Sequence, residues 1–399
     1  RYADQIREHL LDLKDDGSFR LDLSYFNYCQ GLTMTSDRFA DLFGGPPRPP
    51  ESPLTQREMD MAASIQKVTE EIVFRAVCRV HQATGLENLC LAGGVALNCV
   101  SNGRLLREGP FKKIWIQPAA GDAGGALGTA LFIWHQLLGN AREVESPDGQ
   151  SGSLLGPSFD SGEISRFLDR TGAVYQQIDD GAALDREIVG HIENEKVVGL
   201  FQGRMEFGPR ALGCRSIIGD ARSREMQSVM NLKIKFRESF RPFAPIVLRD
   251  RVSDYFEMRD EEDSPYMLLV APVARGVRVD AVDGEAVGLD KLKTHRSQVP
   301  AITHVDFSAR VQTVDAHRHG RVHKLLETFA GKTGCPVLIN TSFNVRGEPI
   351  VCSPEHAYRC FMATNMDVLV MEDFVLLKEE QTGAEGDRID DYLAQFELD

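Results

Sequence analysis

The sequence predicts a two-domain α/β protein, and three observations carry that expectation. At 399 residues the chain exceeds what one ordinary core fills. Two short apolar runs, 88–91 and 114–116, each end in a glycine-rich turn that a helix should follow, which is how the strands of an α/β sheet present ligand sites. Residues 138–161 lose periodicity and gain Gly, Ser, Pro and Asp, placing a domain border there, with 1–145 and 146–399 on either side.

The elements follow in order. Residues 5–13 read as helix, and Gly44-Gly-Pro-Pro-Arg-Pro-Pro50 as an extended turn that cannot be helical. From 57 to 84, Met61, Ile65, Val68, Ile72, Val73, Ala76, Val77 and Val80 recur at three-to-four spacing, the mark of a long amphipathic helix. The first strand leads into Ala92-Gly-Gly-Val-Ala-Leu-Asn98, and the second into Pro118-Ala-Ala-Gly-Asp-Ala-Gly-Gly-Ala-Leu-Gly128 with a helix over 128–138. Further helices are expected over 162–171 and 183–194, then a strand over 197–201 and a long polar connection. Residues 280–292 read as a surface loop, and Pro336-Val-Leu-Ile339 is β-prone.

Composition narrows the function. Hydrophobic content of 42% and charged content of 26% are those of a globular protein. A net charge of −14 argues against a general nucleic-acid surface, although a local basic pocket survives in an acidic protein because an anion feels nearby charges most. The eight cysteines form no C-x-x-C pair and read as buried, reduced thiols of a cytoplasmic protein. No apolar run approaches the ~20 residues of a membrane span, and no signal peptide is visible. Because the chain opens on Arg1 directly into a helix-like stretch, it is expected to be a fragment or processed product.

Candidate chemistry lies in the turns and the cation-rich segments. Gly93, Gly94 and Gly121 let a backbone approach a ligand closely, and a helix after each turn points free N–H groups at an anion. Either turn alone reads as a tight strand–helix connection; two in succession shift the balance toward nucleotide binding. Asp122 inside the second turn caps the next helix or ligates a metal. Arg204, Arg210 and Arg215 sit among glycines in 202–216, either as an anion site or as solvated arginines paired with Glu206 and Asp220. In 231–245, Lys233, Lys235, Arg237 and Arg241 interleave with Ile234, Phe236, Phe240 and Phe243, so part of the segment should be buried with its charges partnered. Lys235 and Arg237, one residue apart, would share a face of an extended segment. With Ser342 and Asn344 of Asn340-Thr-Ser-Phe-Asn344 they supply two cations and two small hydrogen-bonding groups, enough to hold a phosphorylated substrate. The cluster Asp315-Ala-His-Arg-His-Gly-Arg-Val-His323 reads as surface or helix-start histidines rather than a metal site, since Arg318 and Arg321 oppose a cation. Ser342 has no His or acid at nucleophile-elbow spacing.

These segments in this order resemble the NodU/CmcH-type O-carbamoyltransferases from about Asp60 to Leu377. The matching stretches are Leu91-Ala-Gly-Gly-Val-Ala-Leu-Asn98, Gly121-Asp-Ala-Gly-Gly-Ala126, Gly203-Arg-Met-Glu-Phe-Gly-Pro-Arg-Ala-Leu-Gly213, Phe240-Arg-Pro-Phe-Ala-Pro245, Thr303-His-Val-Asp306 with Ala309-Arg-Val-Gln-Thr-Val314, and Asn340-Thr-Ser-Phe-Asn344. Phe307 departs from the pattern, where a small residue is expected. The resemblance implies part of an actin/sugar-kinase-like (ribonuclease-H-like) ATPase module, followed by a domain similar to threonylcarbamoyl-adenylate synthase, whose K-x-R and S-x-N signatures fall on Lys235, Arg237, Ser342 and Asn344. It implies ATP and Mg2+, carbamoyl phosphate as donor and a hydroxyl-bearing small molecule as acceptor. Gly93, Gly94 and Asn98 would line the adenylate site. Asp122 would be one ligand of an iron ion (Fe2+) in the complete protein, the other ligands being histidines of an H-x-x-x-H motif that has no counterpart before Asp60. A homodimer stays open, with no nucleic acid or membrane as partner. Two rivals stand beside this expectation: an actin-like sugar kinase, which leaves the four signature residues unexplained, and a truncated non-catalytic binding protein.

Overall fold

A computed structural model describes all residues other than 51, 145–147, 260, 280–290, 292–293, 383–388 and 397–399. The expected surface loop at 280–292 therefore lies, apart from Lys291, outside the described residues. The chain divides into two compact units, one formed by 1–91 with 101–115 and the other by 92–100 with residues from Ile116 onward. The expected border region, 138–161, falls inside the second unit. There Arg318 bonds Asp148 (3.2 Å), Asp315 (2.6 Å) and Asp263, and Asp148 also accepts from Tyr266 (2.7 Å).

The first unit is organised by the helix Gln56–Thr84. Thr55 and Glu58 form a reciprocal capping box at its start, and Gly85 ends it in the left-handed conformation. Val68 packs with Tyr2, Ile6, Leu10 and Phe43; Val77 packs with Leu89, Leu105 and Phe111. The helix expected over 5–13 stops at Leu10. Strand β1 (Leu11–Leu13) instead pairs antiparallel with β2 (Phe19–Leu21), because alternating Leu11 and Leu13 suit a hairpin once Gly17 turns the chain. Gly17 has φ +81°, and a Cβ there would lie 2.2 Å from the Ala76 nitrogen. Strands β3 (Asn88–Leu91) and β4 (Lys113–Ile116) pair as expected.

The second unit is mixed α/β around one large sheet. Its strands are β5 (Gln176–Gln177), β6 (Val198–Phe201), β7 (Arg215–Asp220), β8 (Ala244–Leu248), β9 (Leu269–Pro272), β10 (Ser308–Val314), β11 (Val337–Ser342), β12 (Val368–Met371) and β13 (Phe374–Leu377). Among the described residues they lie in the order β5-β13-β12-β6-β7-β11-β8-β10-β9. Among the described residues only β8–β10 and β6–β12 are parallel, so the sheet is chiefly antiparallel. Helices Gly181–Glu193 and Gly320–Thr333 pack together over it, as do Ser161–Thr171 and Pro354–Ala363, burying a continuous core that includes Ile188, Leu200, Ile218, Phe329 and Phe361.

Several expectations are corrected. The helix after the second glycine turn begins at Gly124, four residues before 128, so half of that turn is helical. The polar connection after 201 is short: 215–220 is a fully buried strand that Arg215 and Asp220 concealed from a reading by hydropathy. Cys90 is exposed, and among the cysteines only Cys335 and Cys360 are buried, because β3 turns Leu89 rather than Cys90 inward. The histidine cluster does start a helix, yet His319 is buried while His317 is exposed. Phe307 sits at φ +58°, a region that favours glycine, which gives a physical reason for expecting a small residue there. No helix among the described residues is long and apolar enough to cross a membrane.

Candidate active site

One face of the sheet carries the site. In β11, Asn340 and Ser342 are two apart and share a side; in β10, Arg310 and Gln312 do the same. Asn340 Nδ2 donates to Gln312 Oε1 (2.8 Å) and to the Ala211 carbonyl (3.0 Å), locking the two strands to the 202–214 loop. Over this floor opens a cavity of about 370 Å³. Arg210, Arg237, Arg241 and Arg310 line it with His304, Cys99, Ser342 and Asn340, and among the described residues no carboxylate does.

Four guanidiniums around one cavity repel one another, a repulsion that Glu238 offsets in part by pairing with Arg241 at 3.0 Å. Burial, then Arg210, pull the Arg310 guanidinium down to about 10, with Arg237 adding to the effect. Burial lowers Arg210 as well, and its buried Nε has no hydrogen-bond partner among the described residues. His304 is lowered by burial to about 4, so it is neutral at physiological pH despite Asp306 nearby. A polyanion relieves both the repulsion and the orphaned donor.

The signature residues converge, though not as an extended segment would bring them together. Residues Met230–Ile234 form a single wide helical turn, Lys235 closes it, and Phe236 takes φ +49°. The chain therefore bends between the two cations. Buried Asn231 organises the bend: its Nδ2 donates to the Ser239 and Arg241 carbonyls, and its Oδ1 accepts from Arg237 Nε at 2.8 Å. Arg237 faces the cavity and lies over Phe243, 5.1 Å from the ring centroid. Lys235 is buried behind Ser342, where Nζ donates to the Ser342 and Asn344 carbonyls, to Ser342 Oγ (3.3 Å) and to Asn344 Oδ1 (2.7 Å). Burial, and next Arg237, lower this ammonium to about 7. Phe343 between Ser342 and Asn344 is fully buried and anchors the pair.

Other predicted residues take different places. Gly93, Gly94 and Asn98 form a turn beside the one holding Gly121: Gly93 N–H donates to the Ala120 carbonyl at 2.8 Å. Gly93 has φ +94° and open space where a Cβ would be. Arg210 joins this turn to the cavity, Nη2 reaching the Leu97 carbonyl at 3.4 Å. Arg204 is exposed and bonds the Leu155 carbonyl, away from the cavity lining. Arg215 is fully buried: its guanidinium holds the Gln202, Gly203, Cys214 and Pro157 carbonyls and stacks over Phe201 at 3.7 Å. Among the described residues the Glu206 and Asp220 carboxylates make no ion pair with these guanidiniums, although Glu206 accepts the Arg215 backbone N–H at 3.4 Å. Glu206 accepts the Leu212 and Cys214 N–H groups, and Asp220 pairs with Arg222 at 2.7 Å. Asp122 is exposed, and among the described residues no three His, Cys, Asp or Glu side chains converge to hold a metal ion. The described residues by themselves do not supply the ligand set of an iron site.

Sequence reasoning gave no role to Arg310 or His304. A cation between buried Ala309 and Val311 was the signal for Arg310, since a lone charge in an apolar strand needs a partner.

Two family descriptions match this chain: carbamoyltransferase N-terminus over residues 1–131 and carbamoyltransferase C-terminus over 189–378. The uncharacterized protein sll1178 of Synechocystis is 60% identical across 100% of this chain and 65% of its own length. Nodulation protein NolO of Bradyrhizobium diazoefficiens is 40% identical over 82% of this chain and 56% of NolO, and NolNO of Sinorhizobium fredii 35% over 96% and 52%. The chain thus spans about half to two thirds of the length of these relatives. Among solved structures, full-length HypF in its phosphate- and nucleotide-bound form overlaps with a TM-score of 0.33 at 16% identity, over 50% of this chain and 22% of HypF, too slight a likeness to build on. With both family descriptions in chain order and relatives at 35–60% identity, the chain belongs to the carbamoyltransferase family.

Proposed function

We propose that the cavity binds carbamoyl phosphate and ATP and makes carbamoyl-adenylate, whose carbamoyl group the protein transfers to a hydroxyl of a small molecule. The observation that carries this reading is the convergence of Arg210, Arg237, Arg241 and Arg310 on one cavity edged by Ser342, with Lys235 directly behind it. That array suits a substrate with several phosphate charges and a planar acyl group.

The balance of atoms dictates the order of events. Carbamoyl-adenylate holds one phosphorus atom, the α-phosphorus of ATP, so the phosphorus of carbamoyl phosphate must leave separately. Water therefore first splits carbamoyl phosphate into carbamate and inorganic phosphate. A carbamate oxygen then attacks the α-phosphorus, and pyrophosphate leaves. Finally the acceptor oxygen attacks the carbamoyl carbon, AMP departs, and the hydroxyl proton is released. The arginines would neutralise charge on the leaving phosphates, while Ser342 Oγ would orient an acyl or phosphate oxygen. Magnesium would arrive on the triphosphate and help screen it.

The test is to incubate the folded chain with ATP and carbamoyl phosphate. Pyrophosphate should appear only with both substrates present, and inorganic phosphate should appear in at least the same amount. Lys235→Ala and Arg237→Ala should each reduce release by roughly a hundredfold or more. A folded wild-type chain that releases no pyrophosphate would refute the reading.

A further inference from the structure

Behind Ser342 and Asn344 the loop is braced from a distant part of the chain. Asn344 Oδ1 accepts from Lys235 Nζ and Ser342 Oγ, both at 2.7 Å. Its amide nitrogen therefore faces away, and Nδ2 donates to the Glu348 carbonyl at 2.6 Å. The Glu348 carboxylate closes the loop from the other side. One oxygen accepts the Val345 N–H at 2.9 Å, and the other accepts the phenol of Tyr392. Tyr392 belongs to the helix Ile389–Leu393; it is 5% exposed, and its ring meets Phe396 edge-on at 5.3 Å.

Glu348 is itself only 7% exposed, and neither it nor Tyr392 lines the cavity. A buried carboxylate is costly, and a loop that needed only packing would be served better by an apolar side chain. What Glu348 adds is direction. It sets the Asn344 amide by its carbonyl, ties the next peptide by its carboxylate, and contributes negative charge that favours the Lys235 ammonium.

We propose that Glu348 and Tyr392 are positioning residues, holding Asn344 and through it Lys235 and Ser342 in the arrangement that receives carbamoyl phosphate. The inference rests on the reading of the cavity given above. Tyr392 sets Glu348 and Glu348 sets the loop, so the C-terminal helix governs how the donor substrate is bound without touching it.

Tyr392→Phe tests this with the loss of one hydroxyl and retention of the ring. The KM for carbamoyl phosphate is expected to rise about tenfold while kcat changes less than about threefold, with the melting temperature shifted by only a few degrees. Amide hydrogen exchange over 343–348 should quicken about tenfold. Glu348→Gln should raise KM further and move the alkaline limb of the pH–rate profile to lower pH, since the charge favouring the Lys235 ammonium is gone; Tyr392→Phe should leave that limb in place. A lower melting temperature with unchanged KM and pH profile would reduce both residues to packing and overturn the proposal. Should wild-type chain release no pyrophosphate, the reading of the cavity fails, and exchange over 343–348 still decides the brace: unchanged rates in Tyr392→Phe overturn it, faster rates uphold it.

Discussion

Lys235 shows what a sequence pattern conveys about a site and what it omits. The spacing of Lys235 and Arg237 identified two cations for one anion, and placing them on an extended face was the wrong geometry. Phe236 at φ +49° cannot be read from a lysine–phenylalanine–arginine string, because an aromatic residue there gives no sign of the left-handed conformation. The bend buries one cation and leaves the other at the cavity, with a titration consequence. Burial, and then Arg237, hold the Lys235 ammonium near 7, well below its usual 10.5. Above about pH 7 the free protein therefore carries this lysine mostly neutral, and a bound anion draws the proton back. Phosphate should bind progressively more weakly as pH rises through about 7. Titration calorimetry at pH 8, in buffers of differing ionisation heat, should show uptake approaching one proton per phosphate bound. Zero uptake in wild type, or the same uptake in Lys235→Met, would disconnect the lysine from the anion.

At the scale of elements, the reading by period and punctuation succeeded where one side chain face dominates. The helix Gln56–Thr84 and the strands Asn88–Leu91 and Val198–Phe201 were legible within a residue of their ends. It failed for β7, whose Arg215 and Asp220 look like loop: Asp220 pairs with Arg222 two residues on, but Arg215 is satisfied chiefly by carbonyls as far away as Pro157. Such tertiary pairing leaves no local trace. The same limit applies to the seat of the Ser342–Asn344 pair, which depends on β6. A Cβ on Gly199 would lie 3.0 Å from the Phe343 ring and 2.5 Å from Met366 Sδ. The methionine can give way more easily than the ring, which is wedged between the two hydrogen-bonding residues of the site. Gly199→Ala should cost about 1–3 kcal/mol by urea denaturation and lower pyrophosphate release, with Phe343 displaced. An unchanged midpoint would show that the strand tolerates a side chain and that the ring is not confined there.

Across the whole molecule, the charge of −14 and a cavity of four arginines coexist because just these four of the 45 lysines and arginines are gathered at one place in the second unit, while the acids are spread along the chain. The global charge predicted no nucleic-acid surface and said nothing of this concentration, which arises only when β10, β11 and the 202–214 and 235–243 segments meet. One buried group in the same unit makes stability depend on pH. His319 is 6% exposed beside Arg318, and burial lowers its ring to about 4 from an ordinary 6.5, against the opposing pull of Asp315. Between those values the unfolded chain binds the proton and the folded chain refuses it, so stability falls as pH drops. The loss should reach up to ~3 kcal/mol by pH 4, a large part of a typical domain's 5–15 kcal/mol. His304, lowered to about 4 by the same cause, steepens the slope. Urea midpoints measured from pH 7 to 4 should decline most steeply below 6.5, and His319→Gln should flatten that decline while leaving a residual slope from His304. A midpoint constant from 6.5 down to 4.5 would mean that His319 takes up its proton in the fold, with Asp315 and Asp263 outweighing burial.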